Sequence, residues 1–247
     1  MNHPIILHLP HASTHIPFHD GYVVDEAVLQ SEMLKLTDWY TEDLFFSSED
    51  KMVVAPFSRI FCDVERFADD VQEPMAQLGM GMLYEKTDDG SPLRNVTPEL
   101  RQRIQTEYYN IHHQALLHAT EHEIQTNDRA LLLDCHSFSD IPFLRDTHQL
   151  TPRPDFCIGT DYFHTPQKLL DASIDFFKTA GYTVGLNEPY SGTIVPLCYY
   201  QKDVRVQSIM LEINRKLYLK KDGNEKALEY DFVKLLVNKY LKLLKSI

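Results

Sequence analysis

The sequence has no hydrophobic run near the roughly 18 residues that a membrane-spanning helix needs. Its first residues also lack the basic and long apolar regions of a secretory signal peptide. It contains only four cysteines, none of them in a CxxC pair, which argues against a zinc knuckle or a disulfide framework. We therefore expect a cytoplasmic protein with free thiols. Apolar neighbours predict burial for Cys62, Cys135 and Cys198.

Positive charge is in short supply, because 24 Lys and Arg oppose 36 Asp and Glu for a formal net charge of −12. Nucleic-acid binding needs a basic footprint, so nucleic acid is not an expected partner. Residues 220–247 are locally basic, but Leu and Val at helical spacing predict a C-terminal helix packed on the core. With 247 residues, 43% of them hydrophobic, we expect a single domain, residues 1–247, as a monomer or homodimer.

Short apolar runs alternate with segments of helical spacing along the chain. The clearest strand is ALLLDCHSF at 130–138, an apolar run that leads into Asp134 and His136. Alternating strands and helices are typical of a layered α/β sheet with helices on both faces. We predict strands at 4–10, 130–138, 155–160, 182–187 and 204–213, with two more between 52 and 67. We predict helices at 25–46, which residues 37–39 can divide, at 97–125, at 166–181 and in the C-terminal segment.

Polar groups follow four of these predicted strands. Ligands of open α/β sheets bind beyond the carboxyl ends of the strands, so we expect these side chains to share one site. Two imidazoles with several carboxylates are the donors of a catalytic zinc centre that keeps one coordination position open. The residues are His11, Asp63 with Arg66, Asp134 with His136, and Glu212 with Arg215.

Each of these residues also has a simpler structural interpretation. A lone histidine at a strand end is more often hydrogen-bonded than a ligand, and Asp134 either orients the His136 imidazole or caps the next turn. Arginines beside apolar runs suit the capture of an anionic substrate, but structural ion pairs explain them equally well. His112 and His113 are adjacent on a helix, so at most one is expected to point at the site. GxSxG, P-loop, GxGxxG and HExxH motifs are missing.

Six short segments occur in order between residues 9 and 219: LPHAS (9–13), TDWYTEDLF (37–45), SRIFCDVERF (58–67), YYNIHH (108–113), LLLDCHSF (131–138) and QSIMLEINRKLYL (207–219). In this order they resemble the N-formylglutamate amidohydrolase family. The resemblance implies a three-layer α/β/α fold with a mixed, mostly parallel central sheet, of the phosphorylase/hydrolase-like kind. It also implies a hydrolase with one zinc ion and a glutamate that moves a proton from water to the leaving nitrogen.

The family's site residues are carried over to this sequence one at a time. The resemblance implies that His11, Asp38 and His136 bind the zinc ion. It implies that Glu212 is the general base. His113 matches a family histidine, and it is expected to support the ligands or to donate a hydrogen bond in the transition state.

The same resemblance implies a small anionic substrate. Where the family more commonly has DLNR, this sequence has DVER, which puts Glu65 in the place of an asparagine that would help hold a carboxylate. The identity of the substrate therefore stays open. The segment EPYSGTIVP at 188–196 resembles a substrate-covering loop, although a turn between strands explains it too. The expected substrate contacts are Arg59, Arg66, Arg215, Ser191 and Thr193.

The expected function is hydrolysis of the amide bond of an N-acyl acidic amino acid, N-formyl-L-glutamate in the first place, in catabolism of the histidine type. One alternative is a carboxypeptidase or deacylase that acts on another N-acyl amino acid or a peptide fragment. A second is a catalytically silent relative that binds a small carboxylate. Zinc is the expected metal, with iron, cobalt and manganese open because imidazole and carboxylate ligands suit several metals.

Overall fold

The computed structural model describes residues 3–221 and 223–247. Its strands are β1 Ile6–Leu9, β2 Lys51–Val54, β3 Ala130–Phe138, β4 Phe156–Gly159, β5 Val184–Leu186 and β6 Val206–Asn214. They form one six-stranded sheet in the order β2-β1-β3-β6-β4-β5. All neighbouring pairs are parallel except β4 with β6. The prediction of a mixed, mostly parallel sheet is therefore confirmed.

Helices cover both sides of the sheet: α1 Glu26–Leu36, α2 Thr41–Leu44, α3 Pro98–Ile104, α4 Asn110–Asn127, α5 Gln167–Thr179 and α6 Tyr230–Lys245. The Asp25 carboxylate begins α1 by accepting a hydrogen bond from the Val28 N–H. A π-helical turn, Gln105–Tyr109, joins α3 to α4, so the helix predicted at 97–125 forms with one irregular turn. None of the helices in the described ranges is long and apolar enough to cross a membrane.

Side chains alternate along the central strands, and this gives the two faces of the sheet different chemistry. On one face Leu133 of β3 and Leu211 of β6 belong to the main core, which α5 and α6 cover. On the opposite face Leu132 and Val206 pack with residues of α4 such as Leu116. Towards the carboxyl ends of the strands, that second face becomes polar. It carries His8, Asp134, His136 and Glu212, all of them buried.

The strand register places these polar residues beside one another. His8 of β1 is the partner of Asp134 in β3, and His136 of β3 is the partner of Glu212 in β6. Because partners in adjacent strands point to the same face, the pairings bring imidazoles and carboxylates together at one edge.

Two details of the sequence prediction were wrong. The second strand predicted between residues 52 and 67 does not form. The chain turns at Ser58, whose carbonyl accepts hydrogen bonds from the N–H groups of Phe61 and Cys62. Phe57, Phe61 and Val64 of this segment pack in a separate cluster with Ile104 and Tyr109 instead of entering the sheet. Cys198 is exposed, whereas Cys62, Cys135 and Cys157 are buried free thiols.

Candidate functional site

A cavity of about 250 Å³ opens at the carboxyl ends of β1, β3 and β6. His11, His136 and Glu212 line it, together with side chains from segments 143–148 and 189–191. The cavity therefore lies where the sequence predicts a ligand site. The polar residues at the carboxyl ends of the central strands meet there.

The two predicted imidazole ligands come together at this cavity. The rings of His11 and His136 have centroids 5.1 Å apart and an interplanar angle of 50°. Their residues are only 1% and 3% exposed. They share one cavity although 125 positions of sequence separate them.

One nitrogen of each ring is held by a buried carboxylate. His11 Nε2 lies 2.9 Å from Asp63 Oδ1, and His136 Nε2 lies 3.1 Å from Asp134 Oδ1. Burial on its own would raise the pKa of both carboxyl groups. The Arg59 charge is the main influence that holds the pKa of Asp63 well below its usual value. The His136 charge does the same for the pKa of Asp134. Both carboxylates are therefore ionised acceptors, and the ring N–H groups donate from Nε2.

The other ring nitrogens face Asp38. Asp38 Oδ2 lies 3.1 Å from His136 Nδ1 and 3.7 Å from His11 Nδ1. Its second oxygen accepts a hydrogen bond from Arg215 Nη2 at 3.0 Å. His11 Nδ1 is buried and has no hydrogen-bond partner. Ligand atoms around a tetrahedral zinc ion are about 3.4 Å apart for bonds of about 2.1 Å, so the distance from Asp38 Oδ2 to each of the two Nδ1 atoms suits ligands of one metal ion.

Negative charge surrounds His136 on both sides. Burial on its own would lower the pKa of this imidazole, but the charges of Glu65 and Asp134 and the hydrogen bonds to Asp134 and Asp38 raise it well above its usual value. These surroundings favour a positive charge, whether a proton on the ring or a metal cation beside it.

The role of Glu65 is the feature that the sequence analysis missed. Its carboxylate lies 3.2 Å from His136 Nε2 and 3.9 Å from His11 Nε2. One ligand atom each from His11, Glu65 and His136 lie within 4.8 Å of one another, and the same is true of His8, Glu65 and Asp134. The available signal was the DVER sequence, in which Glu65 stands two residues after Asp63. Glu65 therefore offers a second carboxylate on the Nε2 side of the same imidazoles.

Among the described residues, no cationic side chain forms a salt bridge with the Glu212 carboxyl group. It is buried, it lines the cavity, and its Oε2 has no hydrogen-bond partner. Burial raises the pKa of this carboxyl from 4.5 to about 8, and the His136 charge lowers it by less than burial raises it. A carboxyl group with a pKa near neutrality suits the transfer of protons.

The predicted arginines line the cavity but differ in how firmly they are held. Arg59 donates to Asp63 Oδ2 at 2.9 Å and to the Tyr84 hydroxyl at 3.2 Å. Arg215 donates to Asp38 and to backbone carbonyl groups. Arg66 Nε lies 3.5 Å from Asp63 Oδ2 and is buried without a hydrogen-bond partner. Arg66 is therefore the guanidinium best able to accept an anionic group.

Two predicted residues lie away from the cavity lining. His113 Nε2 donates to the Val64 carbonyl at 2.8 Å, and burial lowers its pKa to about 4. The Thr193 hydroxyl is 2.7 Å from the Ser208 hydroxyl. Neither residue lines the cavity, whereas Ser191 does. The placement leaves Ser191 as the predicted hydroxyl that is positioned for a ligand.

The family profile for N-formylglutamate amidohydrolase matches residues 3–219. The chain belongs to the N-formylglutamate amidohydrolase family. It is therefore an enzyme of the amidohydrolase class. No curated protein matches the chain.

Solved structures share the fold of this family member. The crystal structure of N-formylglutamate amidohydrolase from Ralstonia eutropha JMP134 has a TM-score of 0.83 at 24% identity, covering 98% of this chain and 94% of that chain. The gene product Atu2144 from Agrobacterium tumefaciens has a TM-score of 0.65 at 17% identity, covering 99% of this chain and 91% of that chain. The expected α/β architecture is thus shared by both neighbours.

The raised pKa of Glu212 predicts a pH dependence of stability in the metal-free protein. The folded pKa of about 8 exceeds the ordinary 4.5, so the folded state keeps a proton that the unfolded chain loses. Stability from this group is present below pH 4.5 and is lost as the pH rises through about 8. Gln resembles the protonated form, so Glu212→Gln should stabilise the fold relative to the parent increasingly across this interval.

Urea unfolding of the metal-free parent and variant across this pH range measures the effect. The control is Glu42→Gln, which changes an exposed carboxylate in α2. The free energy of unfolding of Glu42→Gln should differ from that of the parent by a nearly constant amount across this pH range. A pH-independent difference for Glu212→Gln would contradict the assignment.

Proposed function

We propose that this amidohydrolase is a metal-dependent enzyme that cleaves the amide bond of an N-acyl acidic amino acid, with N-formyl-L-glutamate as substrate and glutamate and formate as products. One observation carries the proposal. Three buried polar atoms without hydrogen-bond partners belong to residues that line the cavity: His11 Nδ1, Glu212 Oε2 and Arg66 Nε. They are a metal donor, a proton carrier and an anion-binding group, the three functions that such a hydrolysis needs.

His11, Asp38 and His136 would hold a zinc ion. When bound, the ion would polarise the acyl carbonyl and lower the pKa of a bound water towards about 7. The carboxylates of Asp63 and Asp134 support this assignment, because metal-binding histidines usually donate their other N–H to a carboxylate or carbonyl. A metal bound by the Nε2 atoms would require both of these hydrogen bonds to be broken.

Glu212 moves the proton in this proposal. It accepts a proton from the attacking water and delivers it to the leaving nitrogen, so the products are the free acid and the free amine. Burial alone favours the protonated form of Glu212, and a nearby cation favours the ionised form. A cation in the site therefore prepares the carboxylate to act as a base.

Arg66 provides the recognition of the substrate carboxylate. Its side chain is 23% exposed and lines the cavity, and its Nε is unpartnered. A guanidinium suits a carboxylate because it donates parallel hydrogen bonds. Ser191 lines the same cavity and can donate a further hydrogen bond.

A second candidate function is deacylation of an N-acyl amino acid with a single carboxylate. The observation that favours it is that the two neighbouring arginines already form ion pairs, Arg59 with Asp63 and Arg215 with Asp38. Glu65 adds a negative charge to the same cavity. An assay of N-formyl amino acids with acidic and with apolar side chains for release of free amine separates the two candidates.

Replacement of Glu212 tests the proposed reaction. Glu212→Gln should retain zinc while kcat falls by about a hundredfold or more, the usual scale for a lost general base. Metal analysis of the purified variant and steady-state kinetics with N-formyl-L-glutamate measure both quantities. Undiminished kcat in the zinc-loaded variant would remove Glu212 from the reaction.

Two isosteric substitutions distinguish the carboxylates on either side of the imidazoles. Asp38→Asn should lower zinc affinity by more than the roughly 10- to 100-fold that loss of an outer partner costs, because it removes a ligand. The loss of zinc affinity caused by Glu65→Gln should stay within that roughly 10- to 100-fold range. Competition with a chelator gives both dissociation constants. The reverse order would place the metal on the Nε2 side, with Glu65 as its ligand.

Removal of the Arg66 guanidinium should weaken substrate binding. A hydrogen bond to a charged group contributes about 1.5–3 kcal/mol, so Arg66→Met should raise KM by about ten- to a hundredfold. The control is Arg103→Met, which removes an exposed guanidinium that pairs with Asp20 and Glu107. Steady-state kinetics with N-formyl-L-glutamate measure the change, and an unaltered KM for Arg66→Met would contradict the recognition role.

A further inference from the structure

A chain of hydrogen-bonded side chains runs behind the predicted metal ligands and is not used by the proposed reaction. His112 Nε2 lies 2.8 Å from His8 Nε2, and His8 Nδ1 lies 2.7 Å from Asp134 Oδ1. Asp134 Oδ1 in turn lies 3.1 Å from His136 Nε2. All four residues are at most 5% exposed. Burial of so many polar groups is costly unless each finds a partner, so this arrangement needs an explanation.

The hydrogen bonds to Asp134 have a defined direction. Ionised Asp134 can only accept, and its second oxygen already accepts from the Ile194 N–H at 3.0 Å. His8 must therefore donate from Nδ1. The two facing Nε2 atoms of His8 and His112 share one hydrogen bond, so one ring donates to the other. Burial, followed by the proximity of His8, lowers the pKa of His112 to about 2, so this ring is neutral with one proton to give.

His112 reaches His8 from the first turn of α4, directly after the π-helical turn at Gln105–Tyr109. This turn and the start of α4 support the neighbouring loop, because the Tyr109 hydroxyl donates to the Arg66 carbonyl and His113 donates to the Val64 carbonyl. The start of α4 therefore contacts both the ligand network and the loop that carries Asp63. π-Helical turns often occur at functional sites.

We propose that His112 is a positioning residue of the metal site. Through the hydrogen bond His112 Nε2–H to His8 Nε2, it makes His8 present an N–H to Asp134. Asp134, fixed in this way, holds His136 with its proton on Nε2 and its Nδ1 free for the metal. The inference rests on the proposed function, since it requires that His136 bind a metal through Nδ1.

Zinc affinity is the decisive measurement. His112→Leu removes the donor, and we expect the dissociation constant for Zn²⁺, measured by chelator competition, to rise by about tenfold or more, as for other outer partners. His112→Gln keeps an amide N–H close to the position of Nε2, and we expect it to recover most of the lost affinity. The matched control is His118→Leu, which changes an exposed histidine of the same helix.

The outcomes separate this inference from the proposed function. If the parent protein bound no zinc, the proposed function would be rejected together with the inference. If the parent and a folded His112→Leu variant bound zinc equally well, only the inference would be rejected. An affinity loss that Gln did not relieve would indicate a packing role for His112 and would also reject it.

A second measurement covers the case in which His112→Leu does not fold. Ring ¹⁵N chemical shifts of the zinc-loaded parent report which nitrogen of each histidine carries the proton. We expect His112 as the Nε2–H tautomer and His8 as the Nδ1–H tautomer. A His112 ring protonated at Nδ1 alone would reverse the hydrogen bond and overturn the proposal.

Discussion

Two buried hydrogen bonds determine what the site can do: those between His11 Nε2 and Asp63, and between His136 Nε2 and Asp134. An ionised carboxylate cannot donate, so both rings must place a proton on Nε2. The other ring nitrogens, the two Nδ1 atoms, then face Asp38. The low local dielectric strengthens these hydrogen bonds and makes any other arrangement expensive, because an unpaired carboxylate would remain buried.

The same burial acts differently on neighbouring carboxyl groups. Asp38 and Asp63 each have an arginine partner, Arg215 and Arg59 respectively. Opposite charges and ring N–H groups hold the pKa of these carboxyl groups low although burial would raise it. Glu212 has no such close partner, and burial raises its pKa. One compact region therefore contains permanently ionised groups that orient and a titratable group that exchanges protons.

The parallel register of the sheet explains why these residues meet. His8, Asp134, His136 and Glu212 occupy alternate positions on one face of β1, β3 and β6, at the ends of the strands. Arg66 and Glu65 belong to the segment that follows β2. Tyr109 of the π-helical turn and His113 of α4 hold this segment through the Arg66 and Val64 carbonyls. The sheet therefore positions the groups at its edge, and the contacts of α4 position the loop that binds the substrate in our proposal.

Sequence alone determined the layered α/β architecture, the strand at 130–138, the starts of α1, α3 and α5 and the convergence of His11 with His136. Those features follow from local periodicity and the rule that ligands bind at the carboxyl ends of strands. The absence of the second strand predicted between residues 52 and 67, the place of Glu65 and the pairing of His112 with His8 were decided by the tertiary structure. Each depends on contacts between segments far apart in sequence, and apolar periodicity cannot say which turn, ring or carboxylate will face another once the chain is packed.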